Sequence, residues 1–318
     1  MLKLKLDYLK GEKYFMSEEL QVDKGWRVWW KLTRPHTLTA SFAPVFLGTM
    51  IALYYTNINW LLFLAMLFAC LFIQAATNMF NEYYDFARGL DTEESVGIGG
   101  AIVRNGVKPK TVMQLALLLY GIAAILGIYI CYESSWLLLV VGGISMLIGY
   151  LYTGGPYPIA YTPFGELFSG VVMGMLIVLI STFIQVGSVP NFAILLSIPS
   201  VLLVAAIMLS NNIRDLEEDK KGGRKTLAIL VGRKNAITIL SSFFVLSYLW
   251  IVILVILQIV TPWALLVVLS LKKPIQAIKV FREKENSPEV GLAMKDTALT
   301  NTIFVFLLGI GLLIGFIL

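Results

Sequence analysis

Long apolar runs, separated by short polar stretches, set the pattern along this chain. They lie near residues 37–55, 60–84, 111–131, 135–153, 164–186, 191–213, 236–257, 260–281 and 296–318. A helix needs about 20 apolar residues to cross the hydrocarbon core of a bilayer. The runs therefore predict an all-α, polytopic membrane protein with nine transmembrane helices. The eighth run is the weakest, because its apolar part stops at Leu271 and Lys272, Lys273 and Pro274 follow. Snorkelling lysines or a bend at the proline are the two expectations there.

The basic positions orient these spans. Eight precede the first span, four (Arg88, Arg104, Lys108 and Lys110) lie between spans two and three, seven lie between spans six and seven, and six run from Lys272 to Lys295. Together they account for all 25 Lys and Arg residues, and nine spans put every one on the side of the N-terminus. The opposite loops, near Asn57, Glu133, Gly187 and Thr261, carry none. By the positive-inside rule the N-terminus is cytoplasmic and the C-terminus faces out.

Composition agrees. The chain is 58% hydrophobic and 14% charged, with mean hydropathy +0.80, whereas soluble domains are about 25% charged. The net charge of +5 works as a topology signal between apolar runs, so the expected partner is the lipid bilayer and no nucleic acid. Cys70 and Cys131 each sit in an apolar run without metal-type spacing and read as small buried hydrophobes. Residues 1–35 form a polar N-terminal segment without the apolar region of a signal peptide. Its residues before about Gln21 are expected to be weakly ordered. Trp26, Trp29 and Trp30 with Arg27, Lys31 and Arg34 predict an interfacial helix there. Residues 36–318 then make a single transmembrane domain.

Two acidic motifs carry the candidate chemistry. Span two ends with Asn78, Asn81, Glu82 and Asp85, which share one helix edge, and Asp91 follows on a loop after Gly89. Span six ends with Asn211, Asn212, Arg214, Asp215 and Asp219, of which Asn211 or Asn212 shares an edge with the two aspartates. Asn81 and Asp85 match Asn211 and Asp215 in spacing at an offset of 130 residues, so a parallel internal repeat is expected. Magnesium takes hard oxygen ligands, commonly one or two carboxylates plus substrate phosphates. Two such helix ends can hold metal ions bridged by a diphosphate, with Arg88, Arg214, Lys220, Lys221, Arg224 or Lys225 neutralising the remaining charge. Solvated interfacial acids are the simpler explanation, but matched pairs preceded by asparagines argue against it. Carboxylates at the bilayer centre cost about 2.5–3.5 kcal/mol each. These lie at the cytoplasmic boundary, unlike transporter sites near the midplane. The glycine-rich stretch from Ser95 to Arg104 lacks the ending of a P-loop. It reads either as a lid bringing Arg104 to the diphosphate or as an ordinary turn.

These residues resemble the UbiA superfamily of intramembrane aromatic prenyltransferases. Three further stretches are similar to its 1,4-dihydroxy-2-naphthoate branch: Asn78 to Thr92, Gly149 to Tyr161 with Gly165 and Glu166, and Arg34 to Leu38. The resemblance covers about residues 30–318. It departs at Glu82, where many members have aspartate. Pro156 also stands where the hydroxybenzoate branch often has lysine. The resemblance implies a UbiA-type bundle in a bacterial plasma membrane, with the active site opening toward the cytoplasm. It implies Mg2+ on Asp85, Asp215 and Asp219, with Asn81, Asp91 and Glu82 as further ligands. A polyprenyl group then passes from its diphosphate to 1,4-dihydroxy-2-naphthoate, with loss of diphosphate and carbon dioxide. Tyr150 or Tyr152 would shield the allylic cation. Asn78, Asn81, Arg88, Arg104, Arg214, Lys220 and Lys225 would bind substrate. His36, the sole histidine, is either a headgroup-level anchor or, with Arg34, a contact for the acceptor carboxylate. Other acceptors of the superfamily (4-hydroxybenzoate, haem or chlorophyllide precursors) and a cation-coupled transporter are the competing readings.

Overall fold

The computed structural model describes residues 23–91, 100–285 and 288–318. The first 20 residues and positions 95–99 of the glycine-rich stretch, both subjects of expectations above, lie outside the described residues. Every regular element among the described residues is helical. In chain order these are α1 (Trp26–Leu32), α2 (Thr39–Ala52), α3 (Trp60–Ala87), α4 (Pro109–Glu133), α5 (Leu137–Leu151), α6 (Gly165–Val186), α7 (Asn191–Arg214), α8 (Leu216–Lys221), α9 (Leu227–Val231), α10 (Arg233–Ile256), α11 (Lys272–Glu283) and α12 (Pro288–Ile317). Short 3₁₀ segments run over Ile159–Tyr161 and Pro262–Ser270.

Local chemistry sets the boundaries. Asn59 caps α3, its side chain accepting from the amides of Leu61 and Leu62 at 3.1 and 3.2 Å. Its backbone exchanges two hydrogen bonds with Gln185 at 2.8 and 3.0 Å, which ties the start of α3 to the end of α6. Pro109 opens α4 at a position where no amide hydrogen is needed. Gly89 (φ +71°) follows α3 and Gly187 (φ +78°) follows α6, each in the left-handed region that stops a helix.

Among the described residues six helices, α3, α4, α6, α7, α10 and α12, are long and apolar enough to cross a membrane. The other three apolar runs are shorter or broken. The 14 residues of α2 rise about 21 Å at 1.5 Å each, less than the roughly 30 Å core. The eighth run is not one α-helix. Pro262–Ser270 is a 3₁₀ segment, whose tighter winding stretches it to about 2 Å per residue. The amphipathic α11 begins at Lys272, where the lysines end the apolar stretch. Span six also differs from the single helix expected through Asp219. It breaks at Asp215 (φ −92°, ψ 10°), and α8 restarts at Leu216.

Small residues permit close packing where the functional helices meet. A Cβ on Gly174 of α6 would lie 2.6 Å from the Ser200 carbonyl of α7, and one on Gly170 would lie 2.7 Å from that of Val201. Between these glycines α6 winds as a π-helix over Gly170–Leu176, a local widening that often accompanies functional sites. The acid-bearing helices have matching surroundings: α3 packs on α4, and α7 packs on α10. The guanidinium of Arg233 holds α7, α10 and α11 together, donating to the carbonyls of Ile213, Phe281 and Lys284 at 3.0, 3.1 and 2.6 Å.

Candidate active site

The ends of α3 and α7 open onto one cavity of about 560 Å³, lined by α2 to α7. Its polar end carries Asn81, Asp85 and Asp91 from the α3 side and Asn211, Asn212, Asp215, Glu218 and Asp219 from the α7 side. Arg34, Arg104, Arg214 and Arg224 stand among them. The rest is an apolar channel past Met66, Cys70, Leu138, Met173 and Ile180. The two acidic motifs, 130 residues apart in sequence, therefore face each other across a single space.

Arg224 joins them. Its guanidinium donates to Asp85 at 2.6 Å and to Asp219 at 2.9 Å, and its backbone amide donates to the Asp219 carbonyl at 3.0 Å. Asn81 donates to the other oxygen of Asp85 at 2.9 Å. Arg214 forms a bidentate pair with Asp215, both bonds 2.6 Å. Burial, aided by the neighbouring charge of Asp85, pushes Asp91 up to about 6. Burial likewise raises Asp219 to about 6, with Asp215 and Asp85 adding to the effect and Arg224 opposing it. At both carboxyls burial thus outweighs what the nearby arginines relieve. Among the described residues no three acidic, His or Cys side chains converge on one point as a finished metal site. Guanidinium groups occupy the spaces between the carboxylates instead.

The remaining candidates divide sharply. Asn78 lines the cavity, but its amide donates to the Thr33 carbonyl (2.7 Å) and to Thr37 (2.8 Å), tying α3 to the α1–α2 connection. Arg34 in that connection has φ +50°, an unusual conformation for a residue with a side chain, and points to the cavity. His36 also lines it. Burial and the nearby Arg34, Arg214 and Lys295 lower its titration to about 3, so the ring is neutral near pH 7. Tyr152 and Thr153 line the cavity, whereas Tyr150 does not. The Tyr150 hydroxyl meets that of Tyr84 at 2.6 Å and its ring packs edge-on to Phe80, which places it between α3 and α5.

Arg88 also turns away from the cavity. It donates to the carbonyls of Thr153 and Gly155 at 2.6 and 2.9 Å, fixing the segment after α5. With Arg224 it flanks the Tyr161 ring, at 5.4 and 5.2 Å from the centroid. Lys220 and Lys225 are exposed and do not line the cavity. Glu82, 1% exposed, accepts from the backbone amides of Gly100 and Ile102 at 2.8 and 3.3 Å. Its other oxygen is 3.8 Å from Arg34. That carboxylate holds the foot of the glycine-rich stretch and is absent from the cavity wall. Gly100 lies directly beneath the Arg104 guanidinium, and its φ of +94° is one that residues with a side chain rarely adopt.

In the sequence Arg224 stands as one of several cations, and neither Glu166 nor Thr153 carries a spacing that assigns it a role. A lone arginine nine residues past Asp215 carries no spacing signal, because the turn through Gly222 and Gly223 (φ +76°) is what returns it to the site.

Comparison with known proteins bears on what this cavity is for. The UbiA prenyltransferase family profile matches residues 41–295. A 1,4-dihydroxy-2-naphthoate octaprenyltransferase of Bacillus subtilis (strain 168) is 63% identical over 290 residues, covering 91% of this chain and 93% of that protein. Among solved structures, the apo form of a UbiA homologue from Aeropyrum pernix K1 superposes with a TM-score of 0.66 at 15% identity, covering 88% of this chain and 98% of that one. A UbiA homologue from Archaeoglobus fulgidus bound to GPP and Mg2+ gives 0.59 at 16% identity, covering 89% and 98%. At these identities the two structures speak to the fold alone.

Proposed function

This chain belongs to the UbiA prenyltransferase family, and from that premise we propose that it prenylates 1,4-dihydroxy-2-naphthoate. The donor is a polyprenyl diphosphate, the reaction depends on Mg2+, and diphosphate and carbon dioxide leave as demethylmenaquinol forms. The observation that carries this reading is the shape of the cavity: one end rich in carboxylates and arginines, the other an apolar channel. A prenyl diphosphate has the same division of polarity.

The donor set suits magnesium. Asp85, Asp215 and Asp219, with Asn81 and Asp91, offer hard oxygens around the polar end of the cavity. The guanidiniums now between the carboxylates show that positive charge is accommodated there. Bound magnesium supplies Lewis acidity that draws electrons from the diphosphate. Arg224, Arg214 and Arg104 face the same end and neutralise phosphate oxygens. Asn81 and the Arg214–Asp215 pair fix the orientation of the acids. As the allylic C–O bond breaks, the electron pair leaves with the diphosphate, and the ring of Tyr152 faces the carbon left electron-poor. Arg34 and the neutral His36 hold the acceptor carboxylate. The acceptor ring attacks through the carbon bearing that carboxylate. The C–C bond to the carboxylate then breaks as carbon dioxide, and its electrons restore the aromatic ring.

The nine apolar segments all cross the bilayer in this reading, with α2, α5 and the 3₁₀ segment as the short passes. The N-terminus and the polar end of the cavity face the cytoplasm of a bacterial cell, because the basic residues gather on that side. The prenyl tail lies in the channel and leaves toward lipid between α5 and α6, beside Gly142 and Gly143.

Purified protein supplied with polyprenyl diphosphate, magnesium and either 1,4-dihydroxy-2-naphthoate or 4-hydroxybenzoate tests the assignment. Prenylated product and carbon dioxide are expected with the naphthoate only. Equal turnover of the hydroxybenzoate, or ion-driven solute uptake into proteoliposomes without any product, overturns it.

A further inference from the structure

The wall of the cavity formed by the start of α6, the end of α7 and the segment after α5 holds buried polar groups that the reaction above does not use. Glu166, at the first turn of α6, is 3% exposed. One of its carboxylate oxygens accepts from the Asn212 amide at 2.8 Å, and the other is buried with no partner. No cation lies within ion-pair distance of it among the described residues. A buried carboxylate left uncompensated is costly, and such groups usually have a use. Thr153 stands on the same cavity with 2% exposure, and its hydroxyl is also without a partner. Gly165 keeps space open beside this group, since a Cβ there would come 2.9 Å from the Tyr152 hydroxyl.

The direction of the Glu166–Asn212 bond has a chemical consequence. A carboxylate can only accept, so it must face the NH2 of the Asn212 amide. The carbonyl oxygen of Asn212 is then the free end of that amide, and Asn212 lines the cavity. We propose that the Asn212 carbonyl is a subsite for a phenolic hydroxyl of the aromatic acceptor, whose hydrogen bond it accepts, with Glu166 as the positioning residue that fixes the Asn212 amide. Arg34 and His36 hold the carboxylate elsewhere on the cavity, so acceptors are sorted by their hydroxyl pattern as well as their acid group. The inference rests on the prenyl-transfer reading and adds the part of the acceptor that this wall recognises.

Asn212→Leu tests it with little change in size, because it removes the carbonyl that the acceptor hydroxyl would meet. Glu166→Ala leaves that carbonyl but frees the amide to turn, whereas Glu166→Gln, which keeps an acceptor for the Asn212 NH2, should recover most of the loss. The full chain in detergent is assayed with 1,4-dihydroxy-2-naphthoate and with 1-hydroxy-2-naphthoate, which lacks one hydroxyl. Unmet buried polar groups cost about 1–3 kcal/mol, or roughly 5- to 150-fold. The expected result is a loss of this order in kcat/KM for the dihydroxy acceptor, a smaller loss for the monohydroxy one, and an unchanged KM for the prenyl diphosphate. A variant whose discrimination between the two acceptors equals that of the parent overturns the proposal, as does an equal loss for both donor and acceptor. If Asn212→Leu does not fold, Glu166→Ala set against Glu166→Gln carries the same comparison. Absence of transfer to either acceptor by the parent protein would instead reject the functional reading beneath it.

Discussion

Arg224 is the residue on which the two acidic motifs depend while no metal is bound. It satisfies Asp85 and Asp219 at once, so removing it leaves two buried carboxylates facing each other. Breaking a buried pair costs about 3–5 kcal/mol. Arg224→Gln is therefore expected to lower the melting temperature in metal-free detergent solution and to regain much of the loss when magnesium is added. A metal-independent change would contradict the bridging role. His36 gives a second test at this scale. Its pKa falls from 6.5 to about 3 on folding, chiefly through burial. Between those values the unfolded chain binds the proton and the folded chain does not, so stability falls as pH drops below about 6.5. His36→Gln should flatten that part of the stability–pH curve, as measured by thermal unfolding in buffers between pH 7 and 4.5. At this scale sequence was a good guide to the acids, because helical spacing alone puts Asn81 beside Asp85. It left Tyr150 and Tyr152 as alternatives, because residues two apart at the end of α5 differ in facing only once the helix is packed, and Tyr152 is the one that lines the cavity.

At the scale of elements, the packing of helix ends decides which polar groups reach the cavity. Glu82 shares an edge with Asp85 in sequence, yet its carboxylate closes on the amides of Gly100 and Ile102. The sequence holds no sign of those amides, since an acceptor for backbone N–H groups has no residue pattern. Glu82→Ala should therefore loosen Arg104 and raise the KM for prenyl diphosphate about tenfold, the scale of one hydrogen-bonded anchor. The magnesium concentration giving half-maximal rate should remain that of the parent, and Glu82→Gln, which keeps an acceptor, should recover most of the loss. A shift in the magnesium midpoint would make residue 82 a ligand. The long spans were legible because twenty apolar residues in a row have few other uses. The 3₁₀ segment and the break at Asp215 were not, since both follow from tertiary packing around short polar interruptions.

For the whole molecule, the cavity joins the polar boundary to the membrane interior. Leu139 and Ile128 line it and are each about half exposed, at 52% and 51%, so the apolar part of the channel has an exposed side. Gly142 borders that side, and a side chain added there meets no neighbouring atom within 4 Å. Gly142→Leu should fold normally but narrow the exit. Its KM should rise for a long polyprenyl diphosphate and stay unchanged for geranyl diphosphate in the same detergent assay, whereas an equal effect on both would place the tail elsewhere. The central claim is that the two acidic helix ends bind one diphosphate through magnesium. It is tested most directly by titrating a non-hydrolysable prenyl diphosphate analogue into the purified protein, with and without magnesium, for the parent, Asp85→Asn and Asp215→Asn. The account predicts magnesium-dependent binding in the parent and at least a tenfold weaker affinity in each variant. Equal affinity in all three proteins, or tight binding that ignores magnesium, would contradict it.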